Sequence, residues 1–261
     1  MTALRGFTTE SFTHDDVTRT LYRRGSGPGI VVMHEVPGIT PQVAHFAERI
    51  ADAGFSVVVP DLFGTPGKAI SMPYIAGQLG RACISREFHV LAAHESSPIT
   101  DWLRALCRHI HAEIGGTGVG AIGMCLTGNF ALALSLDSCL MAPVLSQPSL
   151  PFPLGAERRA ALHLSPDGLD CLKRRTREEG LRVLGMRFNG DPLCPPERFE
   201  TLRRELGDAF EGIEIDPEHG NPQGNKPPHS VVTTDLIDED GQETRKALDR
   251  VIAFFGEQLR A

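Results

Sequence analysis

V-G-A-I-G-M-C-L-T-G-N, residues 119–129, closes one apolar run and opens onto another, Phe130 to Leu136. The order is strand, sharp turn, helix, with Cys125 at the apex. Small residues flank such a turn because the strand and helix backbones pass close together. Small-x-nucleophile-x-small is the pattern of a nucleophile elbow. An apex side chain placed this way stands at the carboxyl end of its strand, beside the N–H groups that begin the helix. Those donors stabilise an oxyanion, and the positive helix end favours a thiolate. A buried cysteine in an ordinary βα turn carries the same letters, because cysteine packs as a small hydrophobe. What separates the two readings lies downstream, where an acid and then a histidine must follow the nucleophile.

The chain has 261 residues and is 41% hydrophobic, which suits one α/β domain over residues 1–261 with a full core. Its net charge of -7 and lack of a basic block argue against nucleic acid and anionic membranes as partners. The N-terminus lacks an apolar signal region, and no apolar run is long enough to span a bilayer. The six cysteines, at 83, 107, 125, 139, 171 and 194, are scattered without a C-x-x-C pair. They read as reduced thiols, which points to the cytoplasm. Their spacing suits no metal. His109 and His111, two apart on a helix, face different ways. Neither a metal nor an organic cofactor is expected.

Upstream of the elbow, Ile30-Val31-Val32-Met33 is a continuous apolar run, as in a strand buried on both faces. His34-Glu35-Val36-Pro37-Gly38 follows at its carboxyl end, the edge where open α/β sheets place their sites. Glu35 is either a site carboxylate or a solvated loop residue, and His34 reads as structural. Thr40 and Pro41 open a helix with Val43, Phe46, Ala47 and Ile50 on one face and Gly54 as its stop. Phe55 to Val59 is the next strand, so residues 30–59 form a βαβ unit with a parallel pair. Residues 1–28 read as an antiparallel hairpin at the sheet edge, turning at His14-Asp15-Asp16. Residues 61–97 read as a long irregular loop over the site. Arg81 and Arg86 within it are either grips for an anionic substrate or solvated arginines. Ser97-Pro98 caps a helix with Trp102, Leu103, Leu106 and Ile110 inward.

Downstream, Leu140 to Leu145 is a strand, residues 147–162 a proline-bearing loop, and Ser165-Pro166 a helix start. Leu181 to Phe188 is the second clear strand beyond the elbow. Asp191 lies just past it, where an acid is required, although Asp before Pro is also common in turns. Gly212 to Ile215 is the last strand. The polar loop after it holds His219 and His229, and both precede a closing helix from Gln242 to Leu259.

These motifs resemble the dienelactone hydrolase family of α/β-hydrolases. The resemblance runs from about Ile30 to the C-terminal helix. It is carried by His34-Glu35-Val36-Pro37-Gly38, Pro60-Asp61-Leu62-Phe63, Gly123-x-Cys125-x-x-Gly128, and Gly190-Asp191 with His229-Ser230. It implies an α/β-hydrolase fold, with a mostly parallel central sheet and helices on both faces. It also selects His229 over His219 and implies a Cys125–His229–Asp191 triad. In the resemblance, Glu35 hydrogen-bonds the resting thiol and helps to deprotonate it, and the N–H groups of Val36 and Leu126 form the oxyanion hole. The implied activity is hydrolysis of a small lactone or ester through an acyl-thioester. Two positions depart from the family pattern. Thr127 replaces a glycine, and the residues after His229 (Ser-Val-Val-Thr-Thr) lack the arginine that binds a substrate carboxylate.

Three functions remain in view. The first is a dienelactone-type hydrolase. The second is a carboxylesterase or thioesterase on the same triad, favoured by the lost arginine. The third is a non-catalytic redox-sensing thiol, disfavoured because a sensor needs no ordered triad. A monomer or small homo-oligomer is expected.

Overall fold

The computed structural model describes residues 4–84, 91–95 and 97–260. The strands are β1 Thr8–His14, β2 Val17–Arg24, β3 Gly29–Met33, β4 Ser56–Pro60, β5 Val119–Met124, β6 Leu140–Ser146, β7 Val183–Phe188 and β8 Phe210–Ile215. They form one sheet in the order β1-β2-β4-β3-β5-β6-β7-β8. The first two pairings in that order, β1 with β2 and β2 with β4, are antiparallel, and every other neighbour is parallel. The helices are α1 Pro41–Asp52, α2 Met72–Ile84, α3 Ile99–Ile114, α4 Phe130–Leu134, α5 Ala156–Ala160, α6 Pro166–Glu178, α7 Pro196–Leu206 and α8 Glu243–Leu259. This is the α/β-hydrolase fold.

The central strands read as unbroken apolar runs because both faces are covered. Successive side chains point to opposite sides of a strand. On β3, Ile30 and Val32 pack under α1 and α8 with Val43, Phe46, Ala47, Phe254 and Phe255. Val31 and Met33 pack under α3 and α4 with Trp102, Leu103, Leu106 and Phe130. A third cluster joins α6 and α7 to β6 and β7 through Leu172, Phe199, Leu202 and Leu145. Each of these side chains contributes about 1.5–3 kcal/mol by leaving water. Thr40 caps α1 by accepting from the Val43 N–H at 3.3 Å, and Ser165 caps α6 through Gly168 N–H at 3.1 Å.

Residues 61–97 are not all loop. They contain α2, thirteen residues long. Its apolar period is interrupted by Gly77 and Gly80, each about 1 kcal/mol worse than alanine in a helix, and the pattern does not announce itself. Ser97 does not cap α3 with its side chain. Its hydroxyl bonds His163 Nε2 at 2.8 Å, while its carbonyl accepts from Thr100 N–H at 2.9 Å.

Arg198 of α7 is fully buried and organises the segment after β6. Its guanidinium donates to the carbonyls of Ala161 (3.0 Å), Pro148 (2.6 Å), Pro151 (2.7 Å) and Arg158 (2.8 Å). Burial lowers its pKa to about 10, so it keeps its charge at neutral pH. The segment it holds packs Pro148 against the elbow and supplies Phe152 to the cavity described next.

Candidate active site

Cys125 follows β5 directly, at the start of a single 3-10 turn, Cys125–Thr127, that leads into α4. Its φ is 53°, in the left-handed region that a side chain with a Cβ enters only at a cost of about 1–3 kcal/mol. The turn is held from all sides. A Cβ on Gly123 would lie 2.1 Å from the Thr127 carbonyl oxygen, and one on Gly128 would lie 2.4 Å from Pro148 Cα. The Cys125 carbonyl accepts from Gly128 N–H at 3.0 Å and Ser149 N–H at 2.9 Å. Thr127, where the family pattern has glycine, adds a tie. Its hydroxyl lies 2.9 Å from the Met33 carbonyl and accepts from Met124 N–H at 2.9 Å, so it links the elbow to the end of β3.

Asp191 stands after β7 and is buried. Its Oδ1 accepts from Leu193 N–H at 2.9 Å, and its Oδ2 accepts from His229 Nδ1 at 2.7 Å. His219 lies elsewhere, beside exposed Glu218 on a 3-10 turn. His229 Nε2 is buried with no oxygen or nitrogen partner, and the neighbour that acts on it is the Cys125 thiol. Burial works against a charged imidazole here. The negative charge of Cys125 and the bond to Asp191 outweigh it and hold the His229 pKa well above 6.5.

Glu35, at the end of β3, is buried in a cage of donors. Ser230 Oγ (2.7 Å) and Gln147 Nε2 (3.1 Å) donate to Oε2, and the Thr233 hydroxyl donates to Oε1. Gln147 in turn accepts from the Ser146 hydroxyl. The resemblance places the Glu35 bond on the resting thiol. Here its hydrogen bonds go to Ser230, Gln147 and Thr233 instead. Burial pushes the Glu35 carboxyl above its ordinary range, against the downward pull of the Thr233 and Ser230 hydroxyls. His34 is structural. Its Nε2 accepts from Leu62 N–H at 3.1 Å, and burial lowers its pKa to about 4, so it stays neutral.

The raised Glu35 pKa has a consequence for stability. The protonated form suits the folded site, so its contribution is complete below about pH 4.5, near the ordinary glutamate value. That contribution is lost as the pH rises through the folded pKa. Glu35→Gln stays neutral throughout, and the Thr233 hydroxyl turns to accept from the new amide. The variant should melt above wild type at about pH 8, by about 2–4 °C for each kcal/mol regained. The gap should close toward pH 4.5. Thermal unfolding at both pH values checks this, and a variant that melts lower at both refutes it.

These residues share one cavity of about 470 Å³. Glu35, Val36, Cys125, Leu126, Asp191 and His229 form its floor, and Ile70, Met72, Ile75, Phe152 and Leu193 form much of its wall. Lys226 is the cation that lines it among the described residues. Arg81 does not reach it. That arginine is exposed on α2 and lines a separate surface depression with Thr65, Lys68, Tyr74 and Gln78. Arg86 lies outside the described residues. Sequence reasoning missed Gln147, Thr233, Asp235 and the α2 wall. The one available signal was that a buried Glu35 requires donors, and the hydroxyls following His229 can supply them.

Among the described residues, no group of three His, Cys, Asp or Glu side chains could hold a metal ion. Among them also, no helix is long and apolar enough to cross a membrane. Cys107, Cys125, Cys139, Cys171 and Cys194 are free thiols.

The chain is similar to one protein family, two curated relatives and a solved structure. The sequence profile of the dienelactone hydrolase family matches residues 19–149. A carboxymethylenebutenolidase of Rhodococcus opacus is 31% identical over 109 residues, which is 41% of this chain and 38% of the relative. A relative from Saccharomyces cerevisiae is 27% identical over 116 residues, 44% of this chain and 41% of its own. The match thus spans about two fifths of the length of these curated relatives. The crystal structure of the dienelactone hydrolase of Anabaena variabilis superposes with a TM-score of 0.61 at 15% identity, covering 97% of this chain and 98% of that one.

Proposed function

The chain belongs to the dienelactone hydrolase family, and from that premise we propose that it hydrolyses a small lactone or ester through Cys125, His229 and Asp191. The observation that carries the proposal is the 2.7 Å bond from His229 Nδ1 to Asp191, with the strained Cys125 elbow in the same cavity. In this reading Asp191 fixes the tautomer and orientation of the imidazole. His229 Nε2 takes the thiol proton, and the sulfur attacks the substrate carbonyl. The N–H groups of Val36 and Leu126 receive the oxyanion. His229 returns the proton to the departing alkoxide, which stays tethered when the substrate is a lactone. Water then attacks the acyl-thioester with His229 as base, which releases the carboxylic acid and restores the thiol. Glu35 sits one hydrogen bond from the histidine loop, through Ser230, and tunes the charge of the site.

A specific observation favours a second reading of the substrate. The cavity wall is apolar through Ile70, Met72, Ile75, Phe152 and Leu193, and no described arginine lines it. A carboxylic ester with an apolar acyl group fits that wall better than a dienelactone carboxylate does. Steady-state hydrolysis of p-nitrophenyl butyrate beside cis- and trans-dienelactone tests it. The butyrate is expected to show the higher kcat/KM, and the reverse order would restore the dienelactone. No turnover of any ester or lactone would instead favour a redox-sensing thiol. We expect small molecules as the partners of this site, with no cofactor, in a cytoplasmic monomer or small homo-oligomer.

A further inference from the structure

Resting on the triad reading above, we propose that Asp235 is a positioning residue that sets the His229 imidazole against Cys125 by fixing the backbone around it. Asp235 is completely buried. Its Oδ2 accepts three bonds: His229 N–H at 2.8 Å, Ser230 N–H at 2.7 Å and Asn225 Nδ2 at 2.7 Å. Its Oδ1 accepts Asn225 N–H at 2.6 Å. The main chain repeats the closure. Asp235 N–H donates to the Ser230 carbonyl at 3.0 Å, and the Asp235 carbonyl accepts from Asn221 N–H at 2.9 Å. A Cβ on Gly224 would stand 2.0 Å from Oδ1, so the loop is wound tightly onto this carboxylate.

A buried carboxylate is costly unless its lone pairs are met. Among the described residues no lysine or arginine pairs with Asp235, and N–H donors alone satisfy it. The donors are not scattered along the chain. Two of them are the consecutive N–H groups of His229 and Ser230, a backbone nest around an anion. Asp191 holds one end of the imidazole, and Asp235 holds the peptide from which the ring projects. Ser230, fixed by the same carboxylate, carries the hydroxyl that reaches Glu35. One buried anion therefore sets both the base and its acidic neighbour. A misplacement of about 1 Å of a catalytic group costs on the order of 10²-fold in rate.

The test compares Asp235→Asn, Asp235→Ala and Gly224→Ala with wild type and His229→Ala. Asparagine keeps the shape but turns an amide N–H toward a donor. Gly224→Ala leaves the charge in place but crowds Oδ1, which shifts the carboxylate against the His229 and Ser230 N–H groups. Three quantities are read: the melting temperature, kcat and KM on an aryl ester, and the pH profile of Cys125 alkylation by iodoacetamide followed by mass spectrometry. Asp235→Asn and Gly224→Ala should lower kcat by about 10²-fold with KM changed no more than about twofold. In both, the pH profile of Cys125 alkylation should move to that of His229→Ala. Wild-type kcat and profile in either folded variant overturn the proposal. So does a lowered melting temperature with an unchanged profile, which marks a purely structural carboxylate. If His229→Ala itself leaves turnover and profile intact, the triad reading falls and takes the role of Asp235 with it.

Discussion

Cys125→Ala and His229→Ala should each lower kcat for an aryl ester by about 10⁴-fold or more, and the double variant should be no worse than either single one. The residues act as one unit. The sulfur is nucleophilic only as a thiolate, and in the proposed triad the group that takes its proton is His229, whose Nε2 has no oxygen or nitrogen partner. Without the ring, no base stands ready to take the thiol proton. Without the sulfur, the ring has nothing to deprotonate but water. Asp191→Asn should cost about 10²–10⁴-fold, because it leaves the ring in place with its tautomer unspecified. Steady-state kinetics on the purified variants reads all three losses, and a Cys125→Ala protein with wild-type turnover would refute the assignment. Iodoacetamide gives an independent check. Burial pushes the Cys139 and Cys194 thiols to about 12 and raises Cys107 as well, so these three stay silent while Cys125 reacts.

Gly123→Ala should abolish folding or cost more than about 4–5 kcal/mol, a loss beyond that of most core substitutions. The added methyl would lie 2.1 Å from the Thr127 oxygen, 2.8 Å from its carbonyl carbon and 3.0 Å from the Gly128 oxygen. All three atoms are backbone, in a turn locked between β5 and α4, so no rotamer change relieves the clash. β5 cannot yield either, since β3 and β6 flank it in the middle of the sheet. Gly77→Ala in α2 is the contrasting case. Nothing lies within 4 Å of the place its methyl would take, and it should stabilise the helix by about 0.5–1 kcal/mol. Urea unfolding of the two variants beside wild type separates these outcomes. A Gly123→Ala protein as stable as wild type would mean that the elbow is looser than its backbone contacts require.

The elements legible in the sequence are those whose causes are local. β3 and β5 announce themselves because both their faces are covered, leaving no polar position to interrupt the run. The elbow announces itself because backbone contact at Gly123 and Gly128 leaves room for nothing larger. α1 is marked by Thr40, Pro41 and a clean apolar face. α2 is not, because two glycines fall within its period. What the sequence cannot express is direction and distant partnership. Arg81 sits in the expected segment but points to another depression. Arg198 reads as one more surface charge beside Phe199, yet it is buried among four carbonyls from a different loop. Two of the three donors around Glu35 lie near the far end of the chain, and no spacing rule reaches that distance.

That distance has a consequence for how the site comes into being. Ser230 and Thr233 lie 195 and 198 residues beyond the Glu35 they serve. The ribosome therefore completes β3, β4 and the elbow, thiol included, long before Ser230 and Thr233 exist. A chain halted before residue 229 has Cys125 at the apex but neither His229 nor two of the three donors to Glu35. All of these arrive only after the last strand, in the loop that leads to the closing helix. Cys125 is thus in place at the apex about a hundred residues of synthesis before the side chains that come to surround it.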